Sequence, residues 1–489
     1  MPGILWAEMS LRLFRDETRS PLRRALAVAL LALPACVVKF TDRYSPIPNG
    51  GVTGPAADCS QVTPLPAEGA PAGDPRVRLI GRFADPVQTE IPVCDPTTLK
   101  PTNDVTVVPA RPFEYSGTQI QFRFTGKNAL VNIHLPPRAP VTDRVSGQPA
   151  FDPGDIMLFT LVVDDLPPVL FKVVPCNPVY SVASLLAKAG RPFAPGEHTV
   201  TVHRNSEALF GPAFFYDVAI EEGQLLPPIV RPRRIEIIGD SISCGYGILG
   251  LTATCPFSPA TEDNYSAYGS LAARMLGAEV TTECWSGKGV YQNYSDEKFP
   301  DEPTDTPEQK KLKAERRAAA PGELMPLLWT RTLPSRGPLT LPEAPEIKWD
   351  FTKQDQPQVV VVNLGTNDVT RDDNFDNVPD GFDPVPYKDK FEVFLKDVRS
   401  KYKDAHVFVA LSPMVSDQFP FPDARGIMRT STRELVERLN AAGDAKMYFM
   451  ELVEQGFRYG LGCDYHPSLE VHRIMAEQVA GAIRSKLCW

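Results

Sequence analysis

Four consecutive valines, in the run Gln358-Val359-Val360-Val361-Val362-Asn363, constrain this chain more than any other feature. β-Branched residues with no polar alternation predict a strand buried on both faces, as in the middle of a parallel sheet covered by helices. The surrounding sequence extends the pattern. Residues 234–238 and 406–411 read as further short buried strands, and residues 266–276, 387–402, 431–442 and 470–487 carry helical patterning. Strands and helices alternating in this way predict a doubly wound α/β domain over residues 232–489.

Upstream the texture changes. Between residues 76 and 227 come short runs of strand character, at 77–83, 119–124, 129–135, 157–163, 169–173 and 198–203, punctuated by Gly, Pro, Asp and Asn. That spacing predicts an all-β domain, a sandwich or a jelly roll, preceding the α/β domain. The proline-rich stretch Pro227-Pro228-Ile229-Val230-Arg231-Pro232 makes a stiff junction between the two. A length of 489 residues also favours two globular units. The 50 prolines exceed average usage, which suits extended segments and loops more than long helices. Residues 301–345 carry little patterning and predict an insertion or lid-like loop over the C-terminal edge of the sheet.

The first 36 residues read as an export signal. Arg12, Arg15, Arg19, Arg23 and Arg24 precede an apolar run over 25–35 that is too short to span a bilayer. Leu33-Pro34-Ala35-Cys36 is similar to a bacterial lipobox, although Pro34 is unusual there. The expectation is a secreted protein or a cell-envelope lipoprotein attached to the membrane through lipidated Cys36. Residues 37–75, rich in Pro, Gly, Ala and Thr, predict a linker. Setting Cys36 aside leaves eight of the nine cysteines, an even set compatible with disulfides in an exported protein. Pairing does not follow from sequence. The local pair Cys244–Cys255 is the first candidate, and free buried thiols are the alternative. A net charge of −9, with no basic run beyond the first forty residues, excludes nucleic acid as a natural partner.

Four segments carry chemistry. A buried strand ends in Gly239-Asp240-Ser241, which places the Ser241 hydroxyl where open α/β sheets hold their ligands. Such a hydroxyl needs a neighbouring base before it attacks a carbonyl. Trp285-Ser286-Gly287-Lys288-Gly289 follows a second strand-like run, and Gly287 would let a backbone N–H approach a developing oxyanion. Asn363-Leu364-Gly365-Thr366-Asn367-Asp368 follows the valine strand, with the Asn367 carboxamide as another donor. Cys463-Asp464-Tyr465-His466-Pro467, near the C-terminus, supplies an imidazole base.

Taken together, these segments resemble the four blocks of the SGNH (GDSL-type) hydrolase superfamily. The resemblance implies a flavodoxin-like three-layer domain, Ser241 as nucleophile and His466 as general base. It also implies an oxyanion hole made by the Ser241 amide, the Gly287 N–H and the Asn367 side chain. The likeness extends to carbohydrate esterase family 2, which joins an N-terminal jelly roll to an SGNH domain. Residues 196–200, 225–228, 239–247, 286–293, 325–328 and 349–351 carry that likeness. It implies a serine esterase that removes O-acetyl groups from polysaccharides such as xylan or glucomannan, through an acyl-enzyme that needs no metal or organic cofactor.

One departure stands out. The superfamily places its acid three residues before the histidine, where this chain has Cys463; Asp464 lies two before. Asp464 is therefore the candidate orienting acid, and the alternative is a Ser–His dyad leaning on a backbone carbonyl. Trp329 and Trp285 are candidates for stacking on sugar, against the plainer expectation that both belong to the core. The other histidines show no metal-ligand spacing. Competing functions are an SGNH esterase or O-acetyltransferase acting on another acylated substrate, and a carbohydrate-binding lipoprotein with vestigial catalysis.

Overall fold

The computed structural model describes residues 48–57, 74–94, 101–136, 141–142, 149–151, 157–256, 258–294, 306–307, 323–335, 346–352, 356–372, 379 and 381–489. The expected export signal, Cys36, Cys59 and most of the expected 301–345 insertion lie outside these residues. Pro46–Trp489 forms one compact unit. No helix among the described residues is long and apolar enough to cross a membrane.

Besides a small two-stranded sheet pairing Val141–Thr142 and Pro149–Phe151, the N-terminal part is built on two large antiparallel sheets. One runs, in spatial order, Val77–Ile80, Gln119–Gly126, Gly196–Arg204, Met157–Val163 and Val169–Val173, with Gln224–Leu226 also paired to Gln119–Gly126. The other runs Val179–Ser181, Asn128–His134, Ala213–Glu221, Pro101–Phe113 and Val87–Cys94. Period-two alternation turns Ile120, Phe122 and Phe124 of the first sheet inward. They share one apolar core with Val131, Ile133 and Phe215 of the second.

The C-terminal part is a five-stranded parallel sheet: β1 (Arg234–Gly239), β2 (Glu279–Cys284), β3 (Val359–Asn363), β4 (His406–Leu411) and β5 (Met447–Glu451). The spatial order is β2-β1-β3-β4-β5, a doubly wound arrangement whose switch point lies between β1 and β3. The valines of β3 divide between two cores. Val360 and Val362 face Tyr387, Phe391 and Phe394 of the helix Pro384–Lys401 and Leu435 and Leu439 of the helix Ala424–Ala441. Val359 and Val361 face Tyr268 and Ala272 of the helix Tyr268–Leu276 and Val471, Val479 and Ile483 of the helix Leu469–Leu487. Here α1 is Ser241–Cys244, α2 Tyr268–Leu276, α3 Thr366–Val369, α4 Pro384–Lys401, α5 Ala424–Ala441 and α6 Leu469–Leu487. Asp383 and Ser468 cap the N-termini of α4 and α6 by accepting N–H bonds from Val385 and Val471.

Strand β2 is one edge of this sheet, and the N-terminal sheets cover it. Gln119 Nε2 donates to the Val280 carbonyl at 2.9 Å, and buried Arg78 pairs with Glu279 (Nη2–Oε2 2.9 Å). Covering an exposed edge removes a template for unwanted strand pairing. Arg82 of the N-terminal part is fully buried and lies within 3.5 Å of Glu236 and 3.3 Å of Glu283. Part of the expected linker is also built in. Residues 48–57 lie against β5 and α6: Thr53 exchanges hydrogen bonds with Phe449, and Lys486 donates to the Gly54 and Pro55 carbonyls.

Disulfides pair Cys94 with Cys176, Cys244 with Cys284, and Cys255 with Cys463. The expected local pair Cys244–Cys255 is thus corrected. Parallel pairing sets Gly239 of β1 opposite Cys284 of β2, which brings the turn after β1, with Cys244, beside Cys284.

Candidate active site

Register places the ends of three strands side by side, with Gly239 of β1 opposite both Cys284 of β2 and Asn363 of β3. The segments that follow therefore converge. After β1 the chain turns at Asp240, whose Oδ1 caps α1 by accepting the Ile242 N–H at 3.0 Å. Gly239 must lack a side chain, since a Cβ there would lie 2.0 Å from Ser243 Oγ. Ser241 begins the one-turn helix α1, and Gly245 ends it with φ +89°.

Ser241 Oγ lies 2.9 Å from His466 Nε2, although 225 residues separate the two in sequence. The other ring nitrogen, Nδ1, lies 2.9 Å from the backbone carbonyl oxygen of Asp464. The Asp464 carboxylate points elsewhere: its Oδ2 accepts the Tyr246 hydroxyl at 3.1 Å. Asp464 and Tyr465 both adopt left-handed backbone, with φ +52° and +56°, and the chain thereby turns the carbonyl rather than the side chain toward the ring. The Asp464 assignment is corrected in this sense, with the backbone making the contact expected of the carboxylate. Burial pushes the His466 pKa below its usual value, partly opposed by the negative charge of Asp464, so the imidazole is neutral near pH 7.

The loop bearing His466 is pinned to the segment after α1. Cys463 N–H donates to Gly247, Asp464 N–H to Cys255 and Tyr465 N–H to Ala253, and the Cys255–Cys463 disulfide closes the same contact. Gly250 fits beneath it, where a Cβ would lie 2.3 Å from Cys463 Sγ.

Gly287 has φ +78°, and no heavy atom lies within 4 Å of where a Cβ would project, so this face of the loop is open. Asn367, in α3, donates from Nδ2 to the Lys288 carbonyl at 2.9 Å and makes a longer contact, 3.5 Å, with Asp240 Oδ2. Buried Asp368 accepts the N–H groups of Val290, Tyr291 and Gln292 and fixes the loop that continues from Gly287. Burial pushes Asp240 up to about 7 and Asp368 up to about 6.

Ser241, His466, Gly287, Asn367 and the Asp464 backbone thus gather at the carboxyl ends of β1, β2 and β3. The tryptophans do not join them as stacking platforms. Trp329 is fully buried, donates from Nε1 to Glu236 at 2.6 Å and packs on Phe351, Phe394 and Tyr402. Trp285 is a buried member of the same core. Both belong to the fold, and the sugar-stacking expectation is corrected for each. Among the described residues, Glu207, Cys244 and Glu262 bring three potential metal-ligand atoms within 4.8 Å of one another. Cys244 is committed to its disulfide with Cys284 and offers no thiolate.

Sequence reasoning missed Tyr246, which lies between two glycines in the turn after Ser241 and stacks on His466 at 3.9 Å between ring centroids. Only its place in Gly245-Tyr246-Gly247 hinted at a constrained role.

Comparison with known proteins decides the family. The sequence profile described as GDSL-like Lipase/Acylhydrolase matches residues 235–479. The chain belongs to the GDSL-like lipase/acylhydrolase family. Within it, this GDSL-like chain is 30% identical over 376 residues to the cellulase/esterase CelE of Acetivibrio thermocellus, covering 77% of this chain but only 38% of that longer protein. It is 26% identical over 339 residues to an acetylxylan esterase/glucomannan deacetylase of Cellvibrio japonicus, covering 68% of this chain and 79% of that one. The solved structure of a family two carbohydrate esterase from Clostridium thermocellum, in complex with cellohexaose, is similar with a TM-score of 0.61 and 28% identity. The match covers 84% of this chain and 99% of that one.

Proposed function

We propose that this chain is a serine esterase that removes O-acetyl groups from polysaccharides of the xylan or glucomannan type. The observation that carries the reading is the 2.9 Å contact between Ser241 Oγ and a His466 ring whose other nitrogen faces a carbonyl. A carbonyl can only accept, so the ring nitrogen facing it, Nδ1, carries the proton and Nε2 is left to accept from the serine. His466 takes the Ser241 proton as Oγ attacks the acetyl carbonyl. The tetrahedral oxyanion is held by the amides of Ser241 and Gly287 and by the Asn367 carboxamide. Collapse expels the sugar oxygen, which takes the proton from His466. A water then attacks the acetyl-serine, giving its proton to His466, and acetate leaves as Ser241 is reprotonated.

The substrate class rests on the names of the relatives together with the site chemistry. In this reading residues 76–227 are a jelly-roll domain and 232–489 the catalytic domain, exported behind residues 1–36, with residues 48–57 of the expected linker docked on the catalytic part. Attachment to the cell envelope through lipidated Cys36 belongs to the same proposal. The test compares wild type with Ser241→Ala on an aryl acetate and on acetylated xylan and glucomannan. Acetate release should fall by about 10³-fold or more in the variant. Near-wild-type turnover by the variant would overturn the mechanism, and an active wild-type enzyme that spares both polysaccharides would overturn the substrate class.

A further inference from the structure

Glu207 belongs to the N-terminal sheets yet reaches the loop that carries Gly287. It follows Gly196–Arg204 in sequence and is completely buried. Its Oε2 accepts the Ser286 backbone N–H at 2.7 Å, and its Oε1 accepts the Ser286 hydroxyl. Both contacts are made one residue before Gly287. The Cys244–Cys284 disulfide lies on the same side, with Cys244 Sγ 4.0 Å from Glu207 Oε2.

Glu262 completes the arrangement from the segment after α1. It is completely buried, its Oε2 accepts the Glu207 backbone N–H at 3.0 Å, and its Oε1 meets no conventional donor. A carboxyl oxygen of Glu262 lies within 4.8 Å of one of Glu207. Two buried carboxyls this close do not both ionise, so the pair retains a proton. Glu207, accepting twice from Ser286, is the member suited to carry the charge, and Glu262 the one suited to carry the proton. Burial raises both groups, Glu207 to about 7 and Glu262 well above its usual value. Buried Arg204 donates to the carbonyls of Phe113, Ser206, Glu207 and Gly211, and its charge partly opposes the rise in both groups.

We infer that Glu207 is a positioning residue for the oxyanion loop: it holds Ser286, and through it Gly287, at the distance from Ser241 that transition-state stabilisation requires. The inference rests on the reading of Gly287 as an oxyanion donor. It makes the N-terminal sheets a working part of the active site, because they supply the group that fixes the loop. Hydrogen bonding rather than charge does the holding. A carboxamide at this position can accept the Ser286 N–H through its oxygen and donate its NH₂ to the Ser286 hydroxyl.

The test measures kcat and KM on an aryl acetate for Glu207→Ala, Glu207→Gln and Ser286→Ala, beside Ser241→Ala, with thermal melting on each. Glu207→Ala should lower kcat about 10- to 100-fold with KM within about twofold, since a displaced donor is felt in the transition state. Glu207→Gln should recover kcat to within about threefold of wild type. Ser286→Ala, which removes one hydrogen bond from the loop side, should lower kcat about 3- to 10-fold. A role confined to stability would lower the melting temperature of Glu207→Ala and leave its kcat intact. That result, or equal losses in the Ala and Gln variants, overturns the inference. If Glu207→Ala does not fold, an unchanged kcat in Ser286→Ala overturns it instead. If Ser241→Ala keeps its activity, the catalytic reading has failed rather than the role of Glu207.

Discussion

Tyr246 lies flat against His466, with ring centroids 3.9 Å apart and 25° between planes, while its hydroxyl holds the Asp464 carboxylate at 3.1 Å. The side chain that a catalytic triad would place on the imidazole is thus occupied by the tyrosine, and the imidazole leans on the Asp464 carbonyl.

Removing that carboxylate should therefore cost little. In a triad whose acid contacts the histidine directly, loss of the carboxylate lowers kcat by about 10⁴-fold. Here Asp464→Asn, which keeps the backbone contact, should lower kcat less than about 10-fold. Steady-state kinetics on an aryl acetate checks this, and a loss near the triad value would return the acid role to the side chain.

The pH–rate profile follows from His466. Catalysis needs the neutral ring, and burial lowers its pKa from the usual 6.5. kcat/KM should be flat above neutrality and fall on the acid side with a midpoint below 6.5. Because the Asp464 charge works to raise that pKa, Asp464→Asn should shift the midpoint further down. A midpoint shifted upward in the variant would contradict this electrostatic account.

Stability should have its own pH window. Burial raises Asp368 to about 6, Asp240 to about 7, Glu283 to about 8 and Glu262 well above its usual value, so the folded chain holds protons that the unfolded chain has released. That stabilisation is fully present below the ordinary carboxyl range and is lost as pH rises through these values. Four histidines, three buried and His406 half-buried, act in the opposite sense: His134 and His406 are lowered to about 4, His203 and His472 to about 3, and their contribution is lost as pH falls below 6.5. The melting temperature should thus peak near about pH 6 and decline toward pH 8.5. Scanning fluorimetry across buffers tests it, and a rise between pH 6.5 and 8.5 would count against the buried-acid account.

The Cys255–Cys463 bridge holds the His466 loop against the segment after α1. Replacing both cysteines by serine should lower kcat about tenfold or more, because a small misplacement of the base is costly. The Cys94–Cys176 bridge lies in the N-terminal sheets, and its double serine variant should keep kcat near wild type. Kinetics on both variants separates the two bridges, and equal losses would show a general effect of disulfide removal.

What could be read in the sequence was what local pattern dictates. The valine strand, Gly239-Asp240-Ser241 and the Asn367 and His466 segments are short and carry their own periodicity or turn chemistry, and the structure brings the segments together at the carboxyl ends of the strands. What escaped depends on register between distant strands. Cys284 finds Cys244 only because β2 lies beside β1 in parallel. Trp329 looked available for sugar because an aromatic residue does not announce its own burial, and its partner Glu236 lies 93 residues away. The orientation of Asp464 turned on two successive left-handed residues, neither of them glycine, for which sequence offers no cue.

Gln119 reaching over to the Val280 carbonyl has an architectural consequence. The proline stretch before β1 looks like a place to cut the chain, but a fragment begun there would bare the edge of β2, strand the buried Glu279 without Arg78 and release Ser286 from Glu207. The junction is better regarded as a crease in a single folded sheet of paper than as a perforation. Neither half is a portable part, and grafting this hydrolase onto another carrier would have to bring residues 77–226 along.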